Sequence, residues 1–217
     1  MAAWVVLALW VFGDCCAVPP AASRSGTELE TPSAVHIRID QDGRLSAQDL
    51  RIVIEEIANI WGAAGVRVTS GRHADPVPAG RALISLRMVG EQWQRSGRTV
   101  LGWVTADVHE QQTPTIFISH LGVRALLARA QFRDRAFTLQ PVILRERLTA
   151  QAIGRVAAHE LGHYFLQSRH HQERGLMRAN YMTTELVAPS LKPFEIPATG
   201  RVALRIEVAR LADAQTR

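Results

Sequence analysis

Cysteine is nearly missing from this chain: its 217 residues hold two, side by side at Cys15 and Cys16, and none follows. A disulfide framework or a thiolate metal site in the remaining chain is thereby excluded. Lysine is scarcer still, with Lys192 alone, so the net charge of +5 and the isoelectric point near 10.2 come from arginine. The arginines are scattered from Arg24 to Arg217. No basic run is interleaved with aromatics and no nucleic-acid motif appears, so they read as solvated surface and no nucleic acid partner is expected. After the N-terminus no apolar run is long enough for a transmembrane helix. No internal repeat is present, which sets solenoid architectures aside. What the chain does have is a hydrophobic content of 47%, ordinary for a globular protein and enough for a real core. Its length suggests one domain, or one domain plus an extension.

The extension is at the N-terminus. Ala2 to Phe12 is unbroken apolar sequence, too short to span a bilayer comfortably and suited to the apolar segment of a secretory signal. Cys15-Cys16-Ala17 puts small residues where a signal peptidase reads. The expected division is a signal peptide over 1–17, a linker rich in proline, serine and small residues over 18–33, and a domain over 34–217. The expected location is secreted, periplasmic or otherwise in the cell envelope. The segment before the apolar run lacks Lys and Arg, so an uncleaved anchor and an apolar N-terminal strand stand beside the signal as readings.

Alternating apolar and polar residues predict a strand over Ala34 to Ile39. Ser46 with Asp49 three residues on resembles a capping box, and a helix follows with Leu50, Ile54, Ile57 and Trp61 along one face, ended by Gly62 or Gly65. Further strands are expected at Val66 to Thr69, Ala82 to Met88, Thr99 to Ala106 with an interruption at Gly102, and Thr115 to Ser119. Helices are expected at Leu121 to Ala130, Leu148 to Leu166 and Thr199 to Ala214. Helices grouped after an open set of strands argue for an α+β domain with a C-terminal helix.

The helix over 148–166 carries His159-Glu160-Leu161-Gly162-His163. Residues four apart lie one turn apart on the same face, so His159 and His163 present two imidazoles to one point, as a Zn²⁺ site needs. Glu160 lies about 100° further round, placed to reach a water on such a metal rather than the metal itself. That is the arrangement of a general base: Glu160 takes a proton as water attacks a carbonyl, then passes it to the leaving amine. Ala158, Leu161 and Phe165 make an apolar stripe on the other side, which buries the helix while the polar triplet faces a cleft.

At these residues the sequence resembles the zincin metalloproteases, and among them the metzincins, whose pattern is His-Glu-x-x-His-x-x-Gly-x-x-His followed by a methionine turn. In that register the glycine position holds Leu166 and the third histidine position holds Arg169. The stretch also looks like bacterial zinc proteases with a longer loop, His-Glu-x-x-His-x-x-x-Gly-x-x-x-His, followed by Gly-Ile/Leu-Met-Arg. There the last histidine falls on His171, the tail matches Gly175-Leu176-Met177-Arg178, and Gln167 takes the glycine position. A left-handed Gln167 carries a strain of about 1–2 kcal/mol; otherwise the helix runs on before turning.

The resemblance implies a metzincin-like zincin domain with a mixed sheet and an active-site helix, Zn²⁺ as cofactor, and hydrolysis of peptide bonds in a peptide or protein substrate by a zinc-activated water. It implies His159, His163 and His171 as metal ligands and Glu160 as the catalytic base. His170 and then Glu185 are the alternatives to His171. Met177 would form an apolar floor beneath the metal, or serve as an ordinary core methionine. In some relatives a tyrosine near Tyr181 binds the metal or the oxyanion. Thr113 to His120, with Phe117 and Ser119, is read as the edge strand that pairs with substrate backbone, or as an ordinary sheet strand. Two other functions fit the same motif: a catalytically idle zincin-fold binding domain, and a zinc hydrolase of non-peptide amides.

Overall fold

The computed structural model describes residues 4–6, 33–40, 43–72, 75–95, 98–105, 113–132 and 134–216. The signal and linker expected over 1–33 therefore lie outside the described residues, save for 4–6 and Ser33.

The strands and helices in chain order are β1 (Trp4–Val6), β2 (Ala34–Asp40), α1 (Ala47–Gly62), β3 (Arg67–Arg72), β4 (Ala82–Val89), β5 (Trp93–Arg95), β6 (Arg98–Val100), β7 (Gly102–Thr105), β8 (Thr115–Ser119), α2 (His120–Leu127), β9 (Gln131–Phe132), β10 (Arg135–Ala136), α3 (Val142–Leu166), β11 (Asn180–Met182), α4 (Thr183–Val187) and α5 (Ala198–Thr216). This is an α+β protein built on a mixed sheet of order β3-β2-β4-β8-β7. β3, β2, β4 and β8 run parallel, and β7 runs antiparallel to β8. Two small hairpins, β5 with β6 and β9 with β10, lie outside it, and β1 pairs antiparallel with β11.

Local sequence explains the first elements. β2 carries the β-branched Val35, Ile37 and Ile39, which suit a pleated surface. Ser46 caps α1, its side chain accepting from the Asp49 backbone N–H at 3.1 Å. The buried face of α1 is Leu50, Val53, Ile57, Ile60 and Trp61. The expected Ile54 is only half-buried, because spacing of three and four residues favours Val53 and Ile60. α1 packs along α3, and Trp61 marks the join: its indole N–H donates to the Ala158 carbonyl at 3.2 Å and its ring meets Phe165 edge-on at 5.0 Å.

Several boundaries differ from expectation. α3 begins at Val142 rather than Leu148. Its first turns leave Val142 and Ile143 exposed, so no apolar periodicity announces them. The expected strand over Thr99 to Ala106 is two strands, β6 and β7, separated at Leu101, and Ala106 lies outside the described residues. β8 is not an edge strand: it lies between β4 and β7, and β7 is the edge on that side. Phe117 on β8 stands opposite Trp103 on β7, and the two rings stack 5.1 Å apart. β11 and α4 were not expected at all.

From Leu148 to Phe165 almost every residue of α3 is buried. The helix packs on α1, on β7 and β8, and on α2, α4 and α5. Being surrounded, it holds its side chains in fixed places, which is what a metal or catalytic site requires.

Candidate metal centre

His159, Glu160 and His163 are all fully buried on α3. The helix ends one turn later at Gln167, which adopts the left-handed conformation at φ 46° and ψ 37° without being glycine. Two bonds offset the strain: Ser168 N–H donates back to the His163 carbonyl at 3.3 Å, and the Gln167 side-chain amide donates to the Tyr164 carbonyl at 2.7 Å. The turn brings the chain back over the helix, and His171 arrives beside the other two histidines.

Side-chain nitrogens of His159, His163 and His171 lie within 4.8 Å of one another. Zinc–nitrogen bonds of about 2.0–2.1 Å arranged tetrahedrally put their nitrogens roughly 3.4 Å apart, so this cluster has the right scale. The rings of His159 and His163 meet edge-on at 4.7 Å, and those of His163 and His171 at 4.9 Å. His170 is exposed, with its backbone N–H bonded to Ser168 Oγ, and is not in the cluster.

Hydrogen bonds fix the tautomers. His159 Nδ1 lies 2.6 Å from the Leu176 carbonyl and His163 Nδ1 lies 2.7 Å from the Ser168 carbonyl. A carbonyl only accepts, so each Nδ1 carries the hydrogen. The Nε2 atoms of the two rings then point lone pairs at each other across 3.0 Å. Burial resists relieving this by protonation: it drives His159 well below the ordinary imidazole value and His163 down to about 4, with charge on His163 opposing His159 and charge on His171 opposing both. Two lone pairs converging in a buried place fit a cation, and three imidazoles are donors of the kind zinc takes.

Glu160 stands next along the helix. Both its carboxylate oxygens are buried without a hydrogen-bond partner among the described residues, and burial raises its pKa to about 8. Gly102, on the edge strand β7, lies against it; a Cβ there would sit 3.0 Å from Glu160 Cγ. A buried carboxyl that no partner stabilises is costly to ionise, and a nearby cation would lower that cost.

The other candidates are placed as follows. Met177 is buried directly under Gly162, where a Cβ would collide with its sulfur. Glu185 is on α4, where its carboxylate accepts from the Met182 N–H and from Arg178, each at 2.7 Å, so it caps a helix instead of joining the cluster. The hydroxyl of Tyr181 is directed to the Gly175 and Leu176 carbonyls. Two residues the motif reading passed over are Gly102 and Gly162, whose lack of a side chain makes room for Glu160 and Met177. A glycine inside a helix costs about 1 kcal/mol against alanine, and Gly162 was detectable on that ground.

No family model matches the chain, and no curated protein matches it. Among solved structures the chain is similar to metalloproteinase-II from Bacteroides fragilis, at 12% identity and a TM-score of 0.43 over 84% of this chain and 55% of that one. The chain thus spans little more than half the length of that bacterial metalloproteinase. Among the described residues no helix is long and apolar enough to cross a membrane.

Proposed function

We propose that this chain is a zinc-dependent metallopeptidase of metzincin-like type, with His159, His163 and His171 as metal ligands and Glu160 as general base. The observation that carries this reading is the pair of facing Nε2 lone pairs at 3.0 Å, each ring tied through Nδ1 to a carbonyl. Zinc bound there would supply Lewis acidity, polarising a carbonyl and lowering the pKa of a water to about 7.

The chain's own residues do the rest. The Leu176 and Ser168 carbonyls hold two ligand rings in the tautomer that leaves Nε2 bare. Glu160, whose oxygens have no hydrogen-bond partner among the described residues, takes a proton at a carboxylate oxygen and returns it to the leaving amine. An intact Glu160 with no hydrogen-bond partner among the described residues argues against a purely structural metal, which prefers four closed ligands. Substrate is a peptide segment in extended form, for which the outer edge of β7, beside Glu160, offers the backbone groups.

The test is metal content and turnover together. Purified protein should hold one zinc per chain and cleave a peptide library. Glu160→Gln should keep the zinc and lose about 10²–10⁴-fold in turnover. A metal-free preparation that cannot be loaded, or a Gln variant cleaving at the parent rate, would remove the reading.

We also propose that the protein is exported, on the strength of the apolar run from Ala2 to Phe12; removal of the leader would take β1, and its pairing with β11, with it. N-terminal sequencing of protein from the envelope or medium should begin near Val18 or Ser23, and recovery of Met1 there would favour an anchor.

A further inference from the structure

The Leu176 carbonyl that holds His159 is itself held. Tyr181, fully buried on β11, brings its hydroxyl to within 2.6 Å of that oxygen and 2.9 Å of the neighbouring Gly175 oxygen. The tyrosine has little freedom. Phe194 stacks on its ring at 4.8 Å with planes 13° apart, and the Arg178 guanidinium lies 4.5 Å from the ring centre. Behind Phe194 stands Arg155, buried on α3 one turn before His159, its guanidinium 4.9 Å from the Phe194 ring and paired with Glu56 at 3.0 Å. A rigid path thus runs from the helix, through two stacked rings, to one carbonyl and back to the helix.

Two donors converge on that oxygen: the Tyr181 hydroxyl, and the His159 Nδ1–H at 2.6 Å. A carbonyl only accepts, so the hydroxyl is the donor in this contact. The carbonyl sits in the methionine loop rather than in a helix or strand, so nothing regular fixes its direction. The direction decides where the His159 ring points, because a hydrogen bond to one ring nitrogen sets the aim of the other.

We propose that Tyr181 is a positioning residue for His159: its hydroxyl orients the Leu176 carbonyl, which fixes the tautomer and aim of the ring. This rests on the reading of His159 as a metal ligand given above. The role differs from core packing in a measurable way. Removing the hydroxyl leaves Gly175 O its bond from the Arg178 N–H at 3.2 Å and frees the Leu176 carbonyl to turn away from His159. The ring and its stack on Phe194 remain. A purely structural tyrosine therefore predicts little change on substitution by phenylalanine.

The experiment compares the parent chain with Tyr181→Phe in three measurements: melting of the metal-free protein, zinc affinity by competition with a chelator, and nitrogen-15 NMR of His159 in the metal-free protein. The expected result is a nearly unchanged melting temperature, zinc affinity lower by about 10–100-fold, and loss of the uniform Nδ1–H tautomer. Parent-like affinity and tautomer in the variant would overturn the inference. If the variant does not fold, the Tyr181 hydroxyl proton of the parent is followed instead; it should shift on zinc addition, and an unmoved resonance would overturn the proposal. The two readings fail separately. A parent that binds no zinc while the variant loses the tautomer sinks the metal reading and leaves the positioning role. A parent that binds zinc as tightly as a variant with an unchanged tautomer sinks only the role of Tyr181.

Discussion

Which histidine completes the cluster is decided by one residue of loop. Gln167 turns left-handed, Ser168 spends its carbonyl on His163, and the next two residues must clear the helix end before a side chain can return. His170 is still on the outside at that point, whereas His171 has reached the ring faces of its neighbours. We expect His171→Ala to weaken zinc binding by more than the roughly 10–100-fold that loss of an outer hydrogen-bond partner costs. His170→Ala, an exposed side chain, should change affinity far less. Chelator competition on both variants checks this; a larger effect from His170→Ala would mean the loop closes one residue earlier. At this scale much was legible in advance. The i, i+4 spacing announced His159 and His163, and the resemblance to proteases with a longer loop pointed to His171, with His170 and Glu185 as alternatives. What could not be read was the destination of a hydroxyl or carboxylate. Tyr181 and Glu185 are plausible metal partners by residue type, yet their oxygens are taken up by backbone groups and Arg178, contacts that no spacing rule specifies.

At the scale of elements, α3 shows why some boundaries were visible and others not. Its C-terminal half is buried on every side, so its apolar content is plain, while its first two turns are partly solvated and blend with the preceding loop. β11 and α4 are short, and β11 is defined by pairing with β1, a remote segment, which leaves no local signature. The order of β8 and β7 is likewise a matter of tertiary pairing: both carry alternating patterns, and only the sheet places β7 outside. The contact between α3 and the methionine loop yields a test of how tightly two elements are matched. Gly162 and the Met177 sulfur occupy the space a methyl group would need. Gly162→Ala should help the helix by up to about 1 kcal/mol through propensity, but overpacking costs about 1–3 kcal/mol. The expected net effect is a lower melting temperature, softened by the flexibility of methionine. A Gly162→Ala protein that melts higher than the parent would show that Met177 moves aside without cost.

For the molecule as a whole, the centre carries a stability penalty that depends on pH. Consider the metal-free protein. Glu160 has a folded pKa of about 8 against an ordinary 4.5, so its favourable contribution is complete below 4.5 and is lost as pH rises through 8. His159 and His163 are depressed from 6.5, His163 to about 4, so their contribution is complete above 6.5 and is lost as pH falls. Between about pH 4.5 and 6.5 the unfolded chain binds two protons on these histidines while the folded chain binds one on Glu160, so stability rises with pH. Above 6.5 only the Glu160 proton remains, and stability falls by about 1.4 kcal/mol per pH unit, or roughly 2 kcal/mol by pH 8. Melting temperature of the metal-free protein should therefore peak near pH 6.5. In Glu160→Gln the alkaline fall should vanish while the acid limb stays. Zinc should raise the whole curve in proportion to the logarithm of its free concentration, and most on the alkaline side, where protons no longer compete for the histidines and the cation favours the ionised carboxylate. An alkaline fall that persists in the Gln variant would show that a group other than Glu160 carries the penalty.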